Sequence, residues 1–416
     1  MTIFIVSLMK FDGLPSTNLT VAKYLAKENN VYYIENPLSI KDYIKIDKNS
    51  KAYLARKSAY KFSSTGELEQ KIKELNLLVS LPVFPIGFLP KGIIYNTFRT
   101  INENIIASRI KRVIKKKDIK DYIFINFYNV HTPRLHKKLK AKLNVYYCVD
   151  PIPDYDRKHG LNDESILIKN SDLIICTSKA LYNEKKQINP NTFFVPNAAD
   201  LVNEIDIRTI QPHVGLTDIP RPIVGYIGAI ERRIDYALMK NVIARSPNIS
   251  FVFTGPVHRE FVPDWFFHQP NIFFFPPVDY KEVPLMIKGF DVCVIPFKKD
   301  DISNTIFPLK LFEYLGIGKP VIITDFNPDL TDVLGDNISI ASNEKEFSEA
   351  IKDALTNNSF KDIAKRIKKA KDNTWETRIE SIYKILATHV RDNTAAINPG
   401  EALPNLDQEK DLKIGA

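Results

Sequence analysis

Short apolar runs alternate along the chain with segments of helical periodicity. The β-rich run Thr2–Met9 is followed by a loop and then by helical spacing over Asn18–Asn29. Comparable runs recur and are predicted as strands: Val31–Ile34, Leu77–Leu81, Tyr122–Phe127, Val145–Val149, Leu173–Thr177, Phe193–Val195, Pro222–Ile227, Ile249–Thr254, Ile272–Phe275, Val292–Ile295 and Pro320–Ile323. Because strands separated by helices form parallel sheets with crossover connections, the sequence predicts an α/β fold.

A stretch without a strand pattern divides this series into two halves. Residues 203–220 contain two prolines and a glycine, which interrupt helices and strands. We therefore predict a first domain over residues 1–202, a hinge or linker over 203–220 and a second domain over 221–372.

The end of the chain follows a different pattern from the two halves. Residues 360–390 are predicted as a helix, a short break and a second helix over 373–390, which begins around Trp375. The polar segment 391–416 is predicted to be a mobile tail.

Composition excludes several classes of protein. Apolar residues make up 44% and charged residues 26% of the 416 residues, which is typical of globular domains. The three cysteines lie far apart, which excludes a disulfide scaffold or a structural zinc cluster and suits a reducing compartment. The start of the chain lacks the basic segment of a secretory signal, and no run of about 18 apolar residues predicts a membrane span.

The net charge of +9 is unevenly distributed. Residues 1–200 hold 32 Lys and Arg against 19 Asp and Glu, whereas the remainder hold 26 against 30. A basic first half implies an anionic partner, which could be nucleic acid, lipid headgroups or a phosphorylated substrate. Two cationic stretches, 109–120 and 134–142, fit either an anionic membrane surface or a solvated helix face.

The most informative segment is a loop, helix and strand over residues 307–321. Pro308 suits the first position of a helix, whose N-terminus presents N–H groups and a positive dipole end to an anion. Lys310 lies in the first turn, where a cation is unfavourable unless an anion neutralises it. Glu313 lies on the same face, where it would accept hydrogen bonds from two ribose hydroxyls. An ordinary βα unit with surface charges is the alternative interpretation.

Several segments together resemble the family 4, or group 1, glycosyltransferases of the GT-B fold. Residues 313–321 (EYLGIGKPV) match the second half of the family's nucleotide-sugar motif E-A-x-A-x-G-K-P-V. Further matches are 224–230 (VGYIGAI), 251–256 (FVFTGP), 171–178 (SDLIICTS), 195–200 (VPNAAD) and the Trp375 helix. The resemblance covers about residues 1–390. It implies two Rossmann-like domains facing a cleft, with the 373–390 helix crossing back to the first domain.

In this family the second domain binds a nucleotide diphosphate sugar. Carried over by resemblance, Glu313 would bind the ribose, and Lys310 would face the diphosphate with backbone groups beside Pro308, at Leu309. Gly228 would allow the backbone to approach the phosphates closely.

The sequence also departs from the family pattern. Thr305 occupies the position of the family's first glutamate and cannot be an anion. Ala229 replaces an arginine that often follows the glycine, and the lysine of that loop has no clean match, although Arg232 and Arg233 lie near. We include Thr305 and Arg232 among the expected donor-site positions.

The first domain is expected to bind the acceptor. Gly13 and Ser16 occupy the position of the family's glycine-rich loop, with a simple turn as the alternative. Asp150 follows a buried strand and is our candidate acid or base, with Asp154 behind it; a turn or helix-cap role is the alternative. His131 also follows a strand and is a candidate catalytic residue or a packing residue.

The resemblance implies a glycosyltransferase that moves a sugar from a UDP- or GDP-sugar to a glycan or lipid-linked acceptor. It is closest to bacterial enzymes of cell-surface polysaccharide synthesis of the teichuronic-acid type. We expect a retaining mechanism and no required cofactor, since GT-B enzymes need no bound metal and the sequence has no Asp-x-Asp motif. We also expect a cytoplasmic protein that associates peripherally with the inner face of the plasma membrane.

Three alternative functions remain open at this point. A GT-B sugar-nucleotide epimerase would turn over the donor without an acceptor. An inactive glycan- or nucleotide-binding relative would fit the Thr305 and Ala229 departures. A nucleic-acid binder would use the basic half, but no nucleic-acid motif occurs and we expect no such partner.

Overall fold

The computed structural model describes residues 1–12, 16–69, 74–152, 157–198, 209–300 and 303–397. Its first sheet has eight strands in the order β3-β4-β2-β1-β5-β6-β7-β8, all parallel except the edge strand β3. These strands are β1 (Thr2–Ser7), β2 (Asn30–Ile34), β3 (Glu67–Glu69), β4 (Leu75–Leu78), β5 (Tyr122–Phe127), β6 (Leu143–Cys148), β7 (Leu173–Cys176) and β8 (Thr192–Phe194). This sheet and its helices are called the first lobe below.

A second sheet has six parallel strands in the order β11-β10-β9-β12-β13-β14. This is the Rossmann order, in which the chain reverses direction across the sheet between its first and fourth strands. The strands are β9 (Ile223–Ile227), β10 (Ser250–Thr254), β11 (Ile272–Phe275), β12 (Val292–Ile295), β13 (Val321–Thr324) and β14 (Ser339–Ala341). This sheet and its helices are called the second lobe.

Helices connect the parallel strands, as crossover connections require. In the described part of the chain they are α1 (Thr17–Leu25), α2 (Ile40–Lys45), α3 (Lys51–Arg56), α4 (Ile93–Lys116), α5 (Arg157–Asn170), α6 (Lys179–Lys186), α7 (Tyr236–Ala244), α8 (Asp264–Phe267), α9 (Val283–Gly289), α10 (Leu309–Gly316), α11 (Asp329–Leu334), α12 (Glu344–Thr356), α13 (Phe360–Lys371) and α14 (Trp375–Ile397).

Both sheets are buried on both faces, which explains their nearly continuous apolar strands. Strands β5 and β12 are buried at every residue. Such strands carry apolar side chains on both faces because helices cover each side of a parallel sheet. The predicted α/β fold with two parallel sheets is therefore confirmed.

The last helix, α14, returns to the first lobe. Trp375 and Ile382 are each 1% exposed and belong to the same apolar core as β1 and β5. The side-chain amide of Asn29, just beyond α1, donates a 2.7 Å hydrogen bond to the Tyr383 hydroxyl. The helix thus ties the end of the described chain to the lobe in which it begins.

Several element boundaries differ from the sequence prediction. Helix α4 begins at Ile93 rather than Thr97, and α14 continues to Ile397, seven residues into the predicted tail. Pro308 is the cap that precedes α10, not its first residue, because its ψ of 125° is extended. The remaining tail, 398–416, and linker residues 203–208 lie outside the described residues, and the domain boundaries themselves stay predictions.

The two basic stretches do not present an apolar face to the surroundings. In 109–120, Ile110 and Val113 are fully buried, and in 134–142 Leu135 and Leu139 are buried as well. These apolar side chains pack in one core beneath the sheet. The fold therefore uses the apolar side chains of both stretches itself, and contact of 109–120 and 134–142 with an anionic membrane surface stays a prediction that rests on their charge.

Among the described residues, no helix is long and apolar enough to cross a bilayer.

Candidate active site

Each sheet reverses its strand order at one point. The reversals lie between β1 and β5 in the first lobe and between β9 and β12 in the second. In open α/β sheets, ligands bind beyond the carboxyl ends of the strands at such a point. The functional side chains are therefore sought in the loops that follow these strands.

The loop after β9 is built around glycine. Gly228 has a φ of +135°, and a Cβ there would lie 2.4 Å from Lys310 Nζ. Gly255, after β10, has a φ of +143°, and a Cβ there would lie 2.2 Å from the Gly228 carbonyl oxygen. Only glycine adopts such conformations readily, so both positions let backbone segments pack closely beside Lys310.

Lys310 lies in the first turn of α10 and points over two aromatic rings. Its Nζ is 3.9 Å from the centre of the Tyr226 ring and 5.4 Å from that of Phe297. Burial, aided by the nearby Arg233 charge, holds the pKa of Lys310 well below its usual range. The aromatic faces attract the cation, but an anionic ligand would stabilise it more completely.

The start of α10 leaves backbone donors available to a ligand. Among the described residues, no side chain caps this helix, which follows Pro308 directly. The uncapped N-terminus carries the positive end of the helix dipole at the same place as Lys310. This arrangement favours binding of a phosphate or diphosphate.

Glu313 lies one turn further along α10 and remains partly accessible. Its Oε1 accepts a 3.2 Å hydrogen bond from the Tyr280 hydroxyl. A carboxylate held in this way accepts further hydrogen bonds from vicinal hydroxyls.

Arg233 lies close to Lys310, although the sequence analysis noted it only as a residue near the glycine loop and did not include it in the donor site. Its guanidinium pairs with Glu231 and lies 5.4 Å from the centre of the Phe297 ring, the ring that Lys310 also faces. The predicted Arg232 is its half-buried neighbour in the same loop. The paired arginines were the available signal, but only the loop geometry shows which one reaches Lys310.

Thr305 ends a short 3₁₀ turn before α10. It is 8% exposed, so it lies largely within the second lobe. A hydroxyl at this position does not supply the negative charge that a glutamate would.

Asp150 lies two residues after β6. Its side chain is accessible to solvent, yet the protein surrounding it raises its pKa to about 6. The positive charge of Arg233 acts in the opposite direction, which places Asp150 within electrostatic range of the donor-side loop. A carboxyl group with a pKa near neutrality suits acid–base chemistry.

The other predicted first-lobe residues are less informative. His131 is half-buried in the loop after β5, and its backbone N–H donates to Asn129 Oδ1 at 3.2 Å. Ser16 caps α1 by accepting a hydrogen bond from the backbone N–H of Leu19. Gly13 and Asp154 lie outside the described residues.

Sequence reasoning missed a buried polar network at the carboxyl end of β1. Ser7 Oγ accepts hydrogen bonds of 2.9 Å from both Asn18 and Tyr33. The Asn129 side chain donates to the Ser7 carbonyl at 3.4 Å. These residues are scattered along the sequence, so no local pattern revealed the network.

It also missed a cavity of about 180 Å³ on the first lobe. Arg56 lies in its wall and is held by Glu35 through two hydrogen bonds of 2.5 and 2.8 Å and by Asp12 at 2.6 Å. Apolar side chains such as Leu38 and Val79 complete the lining. A cavity that joins apolar walls to fixed charges suits a ligand with both apolar and hydroxyl groups.

Direct contacts join the two lobes beside the start of α10. The side-chain amide of Asn197 donates a 2.9 Å hydrogen bond to the Phe307 carbonyl, and its oxygen accepts one of 3.0 Å from Thr17. Nearby, the backbone N–H of Lys179 donates to Asp329 at 2.5 Å. The start of α10 is thus held against the first lobe.

Within the described residues, no group of three His, Cys, Asp or Glu side chains is arranged to hold a metal ion.

Comparison with solved structures defines the fold. Sucrose-phosphate synthase from Thermosynechococcus elongatus matches with a TM-score of 0.67 and 13% identity, over 95% of this chain and 99% of that one. HepE from Anabaena, in complex with UDP and glucose, matches with a TM-score of 0.62 and 12% identity, over 92% and 99%. At these identities the likeness concerns the fold, which is GT-B, as the sequence predicted.

Sequence comparison then relates the second lobe to a known family. Residues 221–357 match the model for glycosyl transferases group 1. The chain is also 27% identical over 186 residues to the putative teichuronic acid biosynthesis glycosyltransferase TuaH of Bacillus subtilis (strain 168), covering 42% of this chain and 45% of the relative. Residues 221–357 therefore carry a group 1 glycosyltransferase domain, and the chain spans less than half the length of this curated relative.

Proposed function

We propose that this protein transfers a sugar from a nucleotide diphosphate donor to an acceptor in bacterial surface polysaccharide synthesis. The observation that carries the proposal is the convergence of Gly228, Lys310, Arg233 and the uncapped start of α10. Two cations, a close-packed backbone and a helix N-terminus form a binding place for a diphosphate. The similarity to a putative teichuronic acid glycosyltransferase supports the polysaccharide role.

The donor would lie across α10 with its diphosphate at the helix start. Lys310 and Arg233 would contact the phosphates, and Glu313 would accept hydrogen bonds from the ribose hydroxyls. We favour a UDP- or GDP-sugar, and a neighbour of the same fold was solved with UDP and glucose. Thr305, Pro308, Leu309 and Arg232 would line the site without carrying its charge.

The chemistry would be metal-independent and retaining. The bond between the anomeric carbon and the diphosphate oxygen breaks, and the acceptor oxygen bonds to that carbon. The acceptor proton passes to the departing phosphate oxygen, so no protein base is required. Lys310, Arg233 and the helix dipole would stabilise the charge that develops on the leaving group.

The acceptor would bind on the first lobe. Asp150 faces the donor loop and would orient the attacking hydroxyl, with His131 in the adjacent loop. Ser16 would lie on the acceptor side, and the cavity around Arg56 would take a more distant part of a glycan or lipid-linked acceptor.

A thermal-shift panel of UDP, GDP, ADP and CMP sugars tests the donor site. One nucleotide class should raise the melting temperature of the wild-type protein, because a ligand that binds only the folded state stabilises it. The Glu313→Ala variant should lose most of that response. Glu349→Ala, an exposed glutamate on α12 of the same lobe, is the matched control and should respond like wild type.

The buried threonine at position 305 favours a second candidate, an inactive relative that binds the donor without transferring its sugar. Donor hydrolysis separates the two functions, since an active enzyme releases nucleoside diphosphate slowly even without acceptor. A sugar-nucleotide epimerase would instead change the donor sugar and release no diphosphate.

A further inference from the structure

An apolar tip projects from the first lobe where the chain enters α4. We use this name for residues Phe88–Ile94. Phe88 is 72% exposed, Ile93 is 87% exposed and Ile94 is 61% exposed. Folded proteins rarely expose several large apolar side chains within one short segment unless a partner covers them.

The tip lies at the edge of the sheet that carries the site. Its segment leaves the carboxyl end of β4, and the backbone N–H of Val83 donates to the Leu38 carbonyl at 2.9 Å. Leu38 and Val79 both line the cavity of the first lobe. Helix α4 then leads away from the tip toward the amino-terminal ends of the strands, where β5 begins in the interior of the sheet. The segment that leads into the tip therefore runs beside the proposed acceptor cavity.

The exposed charges around the tip are mainly positive. Residues 81–102 contain no Asp or Glu, and of their two cations Lys91 is exposed whereas Arg99 is buried and pairs with Asp163. Helix α2 starts against the same segment, since the backbone N–H of Ile40 donates to the Val83 carbonyl at 2.8 Å. It presents exposed Lys41, Ile44 and Lys45, although Asp42 is exposed there too. Exposed apolar side chains among lysines match the boundary between anionic headgroups and acyl chains.

We propose that the apolar tip inserts into the surface of an anionic lipid bilayer while Lys91 and the lysines of α2 contact the headgroups. A bilayer accepts protruding apolar side chains without a complementary shape, which suits three exposed residues on a loop and a helix start. Docking there would bring the acceptor cavity to the membrane surface. The inference concerns the outside of the first lobe and does not depend on the proposed donor chemistry.

The tip differs in kind from the two basic stretches. Along 109–120 and 134–142 the apolar side chains are buried, so those stretches offer only charge to a membrane. Charge alone gives binding that salt removes, whereas inserted apolar side chains give binding that persists in salt. The two surfaces therefore differ in a measurable way.

Co-sedimentation of the full chain with vesicles of equal parts phosphatidylglycerol and phosphatidylcholine tests the proposal. The triple variant Phe88→Ser, Ile93→Ser, Ile94→Ser should bind at least about tenfold more weakly than wild type, since each substitution removes apolar area that would leave water. Phe360→Ser is the matched control. Phe360 is 90% exposed at the start of α13 in the second lobe, and its loss should leave binding unchanged.

A second pair of variants separates insertion from charge. Lys41→Gln with Lys45→Gln should weaken binding in low salt only, whereas the triple variant should weaken it at every salt concentration. Equal vesicle binding by wild type and the triple variant would overturn the proposal. So would binding of the wild type that is as strong on pure phosphatidylcholine, or self-association of the wild-type chain that the triple variant abolishes.

Two further measurements check that the triple variant is folded and provide a replacement if it is not. An unchanged UDP-induced thermal shift in the triple variant would show that its fold and donor site are intact. If the triple variant does not fold, Phe88→Trp replaces it, and a blue shift of its added emission on vesicles is the expected result. If wild type itself fails to respond to any nucleotide sugar, the proposed function fails, while the vesicle comparison still decides the role of the tip.

Discussion

The Lys310 ammonium group occupies the space that a side chain at position 228 would need. A Cβ on Gly228 would lie 2.4 Å from Lys310 Nζ and 3.1 Å from its Cε. The glycine loop after β9 and the first turn of α10 are therefore fitted to each other, although they are far apart in the sequence. Neither segment forms the proposed diphosphate site alone.

Replacing Gly228 with alanine should damage both stability and donor binding. The φ of +135° is unfavourable for any residue with a Cβ, and the new methyl group would displace Lys310. We expect the free energy of unfolding to fall by about 1–3 kcal/mol, as for other strained backbone positions. Urea denaturation measures the first effect and a UDP titration the second.

Gly87→Ala provides the control for this substitution. A Cβ at Gly87 meets no atom within 4 Å, and its φ lies outside the range that only glycine favours. This variant should resemble wild type in both measurements. A Gly228→Ala protein that binds UDP normally would show that the loop takes no part in donor binding.

Lys310→Met should abolish the response to UDP without lowering the stability of the protein. The lowered pKa of Lys310 means that the folded protein disfavours its charged form, so the charge costs stability at neutral pH. Because methionine fills similar space without the charge, the variant without nucleotide should melt at the same or a higher temperature than wild type. Its response to UDP should nevertheless disappear.

Lys310→Arg tests whether the positive charge at this position is what the nucleotide response requires. Arginine keeps the charge but is bulkier and branched, so part of the nucleotide response should survive if charge is what matters. If Lys310→Met unfolds at a much lower temperature than wild type, the lysine has a structural role that outweighs its electrostatic cost, and our account of it is wrong.

Asp150 should make stability depend on pH in a particular direction. Its pKa of about 6 in the folded protein exceeds the ordinary value of 3.8. The folded state therefore holds this proton more tightly, and the associated stability is lost as the pH rises from about 4 to about 6. Asp150→Asn, which never ionises, should melt higher than wild type at about pH 8 and equally at about pH 4.

Asp336→Asn is the matched control for this pH experiment. The Asp336 side chain is 95% exposed, so its loss should change the melting temperature little at either pH. If Asp150→Asn melts no higher than wild type at alkaline pH, Asp150 is not held in the environment described here, and its assignment as an acid or base loses support.

The strands were the part of the fold that sequence pattern predicted best. The predicted bounds of β5 and β12 agree with the structure, because strands buried on both faces are continuous apolar runs between polar loops. The segment between β2 and β4 was not interpreted at all. Its helices α2 and α3 are six residues each, too short for a clear helical period.

The residues of the proposed site likewise differ in whether the sequence alone could reveal them. Lys310 and Glu313 were found because they share one helix turn, so their spacing is visible in the sequence. The pairing of Arg56 with Glu35 and the approach of Arg233 to Lys310 depend on how distant segments fold together. No local pattern contains that information, and an adjacent pair of arginines does not reveal which one faces the site.

Asn197 is expected to hold the start of α10 in place for the donor. It is 7% exposed and joins Thr17 of α1 to the Phe307 carbonyl, two residues before α10. Asn197→Ala leaves that carbonyl without its partner, which should cost about 1–3 kcal/mol of stability. It should also raise the Kd for UDP, because the helix start would no longer be fixed against the first lobe.

Two comparison variants show which of the two Asn197 hydrogen bonds matters for UDP binding. Asn197→Asp keeps the size but cannot donate to the Phe307 carbonyl, so it should bind UDP at least as weakly as Asn197→Ala. Thr17→Val removes only the hydrogen bond on the first-lobe side and should have the smaller effect. If Thr17→Val weakens UDP binding as much as Asn197→Ala does, then α10 is positioned by both hydrogen bonds of Asn197 and not by the one to the Phe307 carbonyl alone. If none of the three variants alters UDP binding, α10 is positioned by packing within the second lobe alone.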